Sequence, residues 1–177
     1  MKIEVAKLTD FTSNHCYEAE VAIQQWICNE YNFTPGIVTE GYASEFDFII
    51  NLTPIELKIS TKGTSTSWME LSRDDYSPSG LSATKSDVHV FLNANGNIGK
   101  LRLIKTSDLI AYYFHKTTGR KTTNTRGDKK GSYLAPLNFL NQKDLMIGEC
   151  SYSNGVFNAD TMSGNTYAGQ YINNYIK

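Results

Sequence analysis

Residues 47–58 read DFIINLTPIELK, an apolar run entered at one aspartate and left through a glutamate and a lysine. PIELKIS, residues 54–60, alternates polar and apolar residues, the period of a strand with one buried face. EFDFIIN, residues 45–51, reads as the strand before it, and Pro54 suits the first position of the second. Residues Asn51–Thr53 leave room for only a short connection, so the two strands must be antiparallel neighbours. The segment therefore demands a sheet. Ile55, Leu57 and Ile59 face a core, while Glu56 and Lys58 share the opposite face, about 6.6 Å apart along the strand. Asp47 comes close to one of them.

The rest of the chain supplies what such a sheet needs. IEVAKL (3–8) predicts a short strand. The 3.6-residue spacing of Ala19, Ile23, Trp26 and Ile27 predicts a helix across residues 10–33, with Thr12, Ser13 and Asn14 as possible N-caps and Pro35-Gly36 beyond its end. GIVTEG (36–41) makes a third strand with the two above. TKGTSTS (61–67) reads as a polar loop, and residues 68–86 fit either a helical turn or a strand followed by turns. DVHVFLN (87–93) and IGKLRLIK (98–105) form strands around an Asn95-Gly96 hairpin signal, Val88, Val90 and Leu92 alternating with Asp87, His89 and Phe91. TSDLIAYYFHK (106–116) is a capped helix. Residues 132–140 and 145–152 fit strand or irregular structure, and AGQYINNYIK (168–177) puts Tyr171, Ile172, Tyr175 and Ile176 on one helical face. Helices bracketing a central sheet imply a layered α/β or α+β fold.

With 177 residues, 40% of them apolar, the chain suits one domain with a true core. Its net charge of -1 announces no polyanionic partner, so such a contact would need a local patch. Cys16, Cys28 and Cys150 are odd in number and lack CxxC spacing, which indicates neither a disulfide framework nor a zinc site. A reduced, cytoplasmic setting is expected, without a signal peptide or membrane span.

The simplest reading of Glu56 and Lys58 is a solvated sheet face. Asp47 alters it, because the flanking FDFII run implies a strand buried on both sides, where a carboxylate is costly unless paired or bound to a cation. Two carboxylates within reach suit a hard divalent cation, Mg²⁺ above all. A lysine beside them cannot ligate a metal but can hold water or an anionic oxygen. That set suits phosphodiester hydrolysis.

The residues FD-(x)8-ExK, preceded by a helix that carries glutamates, resemble the PD-(D/E)XK nuclease superfamily, which includes restriction endonucleases and Holliday-junction resolvases. The likeness covers roughly residues 14–105 in its order of elements, and SGLSATKSDVHVFL (79–92) resembles the segment entering the fourth strand of many members. Phe46 stands where the family usually has proline. The resemblance implies a restriction endonuclease-like core with a central mixed β-sheet flanked by helices, in a single domain. That domain divides into a core at about 14–115, a basic loop at 116–131 and a variable part at 132–177. It implies that Asp47 and Glu56 are metal ligands with the Leu57 carbonyl, that Lys58 lies near the attacking water, and that a helix glutamate completes the catalytic set. Glu20, at the edge of the apolar helix face, is favoured for that role over Glu18. The expected cofactor is Mg²⁺, with Mn²⁺ as substitute. The expected partners are DNA and a second copy of the chain, and the expected setting is the host cytoplasm if the chain is phage-encoded. A DNA endonuclease is the leading expectation. A non-catalytic DNA-binding or assembly protein on the same scaffold, or an RNA-directed nuclease, is the alternative.

Residues 116–131 hold six basic residues and Asp128, a local excess of five positive charges suited to a phosphate track. Arg120, Lys121, Arg126, Lys129 and Lys130, with Lys62 after the catalytic strand, are the candidate DNA contacts. Arg73, Lys85, Ser60 and Thr61 are weaker ones. Glu70 is a candidate extra carboxylate near the site but reads sooner as a surface charge. His15, His89 and His115 lack ligand spacing, and His89, in a strand that could pass the site, reads sooner as a satisfied or exposed histidine. No phosphate-binding glycine loop is present.

Overall fold

A computed structural model describes residues 13–39, 45–60, 63, 65–73, 78–95, 98–114, 120–122, 132–142, 145–153 and 156–158. The strand expected at 3–8 and the helix expected at 168–177 lie outside these residues.

Helix α1 (Ser13–Tyr31) packs on the sheet through the apolar stripe its spacing predicts: Ala19, Ile23, Trp26 and Ile27 are buried. It ends at Asn32 in the left-handed region, φ 56°, and the Phe33 N–H closes on the Cys28 carbonyl at 2.9 Å. This is a Schellman-type stop, with asparagine tolerating the positive φ. The buried Gln24 fastens the helix sideways. Its Nε2 donates to the Ile49 carbonyl at 2.7 Å and the Gly36 carbonyl at 3.0 Å.

The strands are β1 (Pro35–Val38), β2 (Phe48–Ile50), β3 (Thr53–Ser60), β4 (Thr66–Arg73), β5 (Val88–Asn95), β6 (Ile98–Lys105), β7 (Arg120–Thr122), β8 (Ser132–Asn138), β9 (Met146–Ser153) and β10 (Val156–Asn158). Helix α2 (Thr106–Phe114) follows β6 directly. The main sheet runs β1-β2-β3-β5-β6-β9-β10. It is mixed, with β3 and β5 parallel and the other described neighbours antiparallel. The fold class is thus mixed α+β.

A parallel pair requires a crossover, and here the crossover leaves the sheet. β4 starts at Thr66, inside the stretch read as a polar loop, and runs into residues 68–86, ambiguous in sequence, which also hold a short 3-10 turn at Gly80–Ser82. β4 joins a second, antiparallel sheet of order β4-β8-β7. Residues 120–122, read from sequence as part of a polar loop, pair in it with β8. Backbone pairing decides this, and a polar composition does not reveal it.

The flanking layers also depart from two sets of helices. One face of the main sheet packs Ile55, Leu57, Val88, Val90, Leu92, Leu101 and Leu103 against α1. The other packs Phe91 and Ile104 against Leu109 and Tyr113 of α2 and against Met69, Ala135 and Leu137 of the second sheet. β5 is therefore covered on both sides. His89 and Phe91, which simple alternation would leave on an outer face, are fully buried. Asn93 of β5 donates to Ser67 Oγ of β4 at 2.8 Å and ties the two sheets together.

Candidate active site

The site forms where β2 and β3 part. Their ladder pairs Phe48 with Ile55. Asp47 is the next residue, and its backbone is held from both sides. Its N–H donates to the Ile55 carbonyl at 2.9 Å, and its carbonyl accepts from Thr39 N–H at 2.8 Å and Thr39 Oγ1 at 2.9 Å. Its side chain then turns to β3, where Oδ2 accepts the Leu57 N–H at 2.6 Å. A carboxylate thus replaces the main-chain partner that β2 no longer supplies. Leu57 keeps its side chain in the core. In a strand the N–H and C=O of one residue leave on the same edge, so its carbonyl also lies on the Asp47 side.

Glu56 and Lys58 leave β3 on the opposite face from Ile55 and Leu57 and form an ion pair. Glu20, half-buried on α1, lies one turn before the anchored Gln24. Burial, then the negative charges of Asp47 and Glu56, push its carboxyl up to about 7. Burial and then Glu56 push Asp47 up to about 6, against the Leu57 hydrogen bond and Lys58. Burial would lower the Lys58 ammonium, but Glu56, Asp47 and Glu70 outweigh it and hold it above its ordinary value. The carboxylates from α1, the β2 end and β3 therefore share one field.

Asp47, Glu56, Leu57 and Lys58 are brought together, with Glu20 on α1 near enough for their charges to bear on it, whereas Glu18 is exposed. Two residues absent from the expected set join them. Glu70, read as a surface charge, is partly buried, bears on Lys58 and accepts a hydrogen bond from Ser79 Oγ at 2.6 Å. His89, which sequence leaves among scattered histidines, sits in register with Glu56 on the parallel neighbour β5. Burial, then Lys58, depress it to about 3, so the ring is neutral. The apolar residues at both parities of DVHVFLN are the one sequence signal that His89 is inside.

Of the expected DNA contacts, Lys62, Arg126, Lys129 and Lys130 lie outside the described residues, as does Thr61. Arg120 and Lys121 belong to β7, away in sequence from the site. Lys85 is exposed and paired with Glu45. Arg73 ends β4.

The donor set is hard oxygen and like-charged, which fits a divalent cation. Among the described residues, no three His, Cys, Asp or Glu side chains yet converge at ligand spacing. Glu56 is turned to Lys58 and Asp47 to the Leu57 amide, so a cation would have to draw Glu56 off its lysine. No helix among the described residues is long and apolar enough to cross a membrane. No family model, curated protein or solved structure matches the chain.

Proposed function

We propose that this protein is a Mg²⁺-dependent DNA endonuclease with a restriction endonuclease-like core. The observation that carries the reading is the electrostatic coupling of Asp47, Glu56 and Lys58 at the parting of β2 and β3, with Glu20 within reach of their charges. Asp47 and Glu56, with Glu20 and the Leu57 carbonyl beside them, would hold Mg²⁺ or Mn²⁺. Bound there, the ion would supply polarisation of a phosphodiester oxygen and a lowered pKa for water.

The chain's own residues supply the rest. The Leu57 amide fixes the Asp47 carboxylate, so one ligand is oriented before any ion arrives. Lys58 stays protonated at neutral pH and presents a positive charge to orient water and stabilise the negative charge that develops on phosphate oxygens. Glu20 holds a proton until near neutrality and gives it up as cation or rising pH favours the carboxylate. Basic residues Arg120, Lys121, Arg126, Lys129 and Lys130 would supply contacts to the phosphates of the DNA backbone. A homodimer would bring two such sites to two strands.

The test is cleavage of supercoiled plasmid and of a four-way junction, each with Mg²⁺ and with EDTA. Wild type is expected to cut one or both with Mg²⁺ only, and Asp47→Ala, Glu56→Ala and Lys58→Ala to leave them intact. A wild type that cuts neither, or variants that cut as it does, would refute the nuclease reading.

A further inference from the structure

His89 has no part in the chemistry above, yet it shares its ground. In a parallel pair, residues in register leave the sheet on the same face, so His89 stands beside Glu56, with Lys58 one pleat further along β3. The ring is fully buried and stacks on Phe91 with centroids 6.1 Å apart. Its Nδ1 meets Thr106 Oγ1 at 2.8 Å, at the first residue of α2, with Ser86 Oγ at 3.5 Å. Ser86 in turn meets Thr84 Oγ1 at 2.7 Å. One edge of the imidazole is thus fastened by hydroxyls.

The other edge is not. Nε2 is buried with no hydrogen-bond partner among the described residues, an unfavourable state for a polar atom taken out of water. A native protein seldom leaves such an atom idle. The Thr106 hydroxyl can accept from Nδ1–H or donate to Nδ1, so the hydroxyls leave the tautomer open. Lys58 decides it. Its ammonium has only N–H donors, so it can meet Nε2 only where that atom carries a lone pair, with Nδ1–H given to the Thr106 hydroxyl.

Lys58 can use such an acceptor, because its ammonium carries three N–H donors. Its carboxylate partner, Glu56, is one that a cation would claim. Glu70 also bears on Lys58 and is tied to Ser79 through Oε1, which still leaves the three-donor ammonium room for a neutral acceptor. We propose that His89 is a positioning residue for Lys58: its unprotonated Nε2 accepts a hydrogen bond from the lysine ammonium when Glu56 is drawn to a cation. The role rests on the nuclease reading, but the tautomer and its link to Lys58 can be read without any cleavage.

The test is long-range ¹H–¹⁵N NMR of the full chain labelled at histidine, with His89→Gln giving the assignment. A neutral ring protonated at Nδ1 is expected. Its Nε2 resonance is expected to move in Lys58→Met and, in wild type, on adding Mg²⁺. A ring protonated at Nε2, or a resonance indifferent to Lys58→Met, overturns the proposal. So does a resonance that answers to Tyr113→Phe instead, since the Tyr113 hydroxyl is the other buried polar atom without a partner among the described residues.

Cleavage gives a second reading. Glutamine places an acceptor near the Nε2 position, asparagine one near Nδ1. His89→Gln is expected to stay within about threefold of wild type, and His89→Asn to lose about ten- to a hundredfold, as for residues that orient site groups. The reverse order, with both variants folded, would make the Thr106 contact the reason for His89 and overturn the proposal. A wild type that cuts no DNA counts against the nuclease reading alone, and the NMR result still judges His89.

Discussion

The Asp47 carboxylate accepts the main-chain N–H of Leu57 at 2.6 Å, so one candidate ligand is fixed by the backbone of the strand that carries the others. Asparagine keeps an oxygen acceptor at this point and drops the charge. Asp47→Asn is therefore expected to melt at or above the wild-type temperature without divalent cation, because the repulsion from Glu56 and Glu20 is gone. It is also expected to lose the stabilisation that Mg²⁺ gives the wild type. Asp47→Ala leaves the Leu57 amide without its acceptor and should be less stable by about 1–3 kcal/mol. Thermal melts of the three proteins with Mg²⁺ and with EDTA check both. An alanine variant as stable as the asparagine one would show that the hydrogen bond does not hold the site together.

The strand pair behind this contact was legible in the sequence, and for a plain reason. PIELKIS alternates, and the gap before it is too short for anything but a turn, so local rules sufficed for β2, β3 and the side on which Glu56 and Lys58 emerge. The helix face was legible through the spacing of Ala19, Ile23 and Ile27. The second sheet was not, because the pairing of β4 with β8 joins residues about sixty to seventy positions apart, from Arg73 with Ser132 to Thr66 with Asn138, and no local period encodes it. His89 was legible only as a residue that could lie near the site, for the same cause: its neighbour Glu56 lies across a parallel pairing, whose register depends on the whole crossover. Gln24 was missed because a polar residue on a helix reads as solvated until its carbonyl partners are known.

The raised carboxyls make stability fall as pH rises. For an acid whose folded pKa exceeds its unfolded value, the folded state binds more protons between the two, so stability is full below the unfolded pKa and is lost as pH climbs through the folded one. For Asp47 that window runs from 3.8 to about 6, and for Glu20 from 4.5 to about 7. The cation-free protein should thus melt higher at pH 5 than at pH 8, and Glu20→Gln should flatten the difference. Mg²⁺ should oppose the loss, with its apparent affinity rising between pH 5 and 8 as both carboxyls ionise. Melting curves across this range, with and without Mg²⁺, decide it. A stability that rises with pH in the absence of cation would contradict the shared field of Glu20, Asp47 and Glu56.

The turn at Gly80 offers a way to move Glu70 without touching it. Gly80 has φ +52°, and a Cβ there would meet the Glu70 carbonyl oxygen at 2.3 Å. That carbonyl is backbone and cannot swing aside. Gly80→Ala should therefore cost more than about 1 kcal/mol, since the strained φ adds to the clash. It should also loosen the Ser79–Glu70 hydrogen bond. Ser79→Ala removes that bond and leaves the backbone free of strain. A melting temperature for Gly80→Ala equal to wild type would show that the turn does not press on β4, and a loss no greater than that of Ser79→Ala would show that the hydrogen bond alone matters.

The basic stretch is tested by salt rather than by shape. If Lys129 and Lys130 each neutralise a phosphate, replacing both with glutamine removes two released counterions. The slope of log affinity against log salt should then become shallower by about two, with affinity lowered to a similar degree on unrelated DNA sequences. Binding is best measured by fluorescence anisotropy with Ca²⁺ in place of Mg²⁺, so that the DNA stays whole. Asp47→Asn serves as the control, because it alters the site and leaves the stretch intact. If the double variant keeps the wild-type slope, the positive charge of residues 116–131 is not a phosphate track, and the DNA must be held by other basic residues.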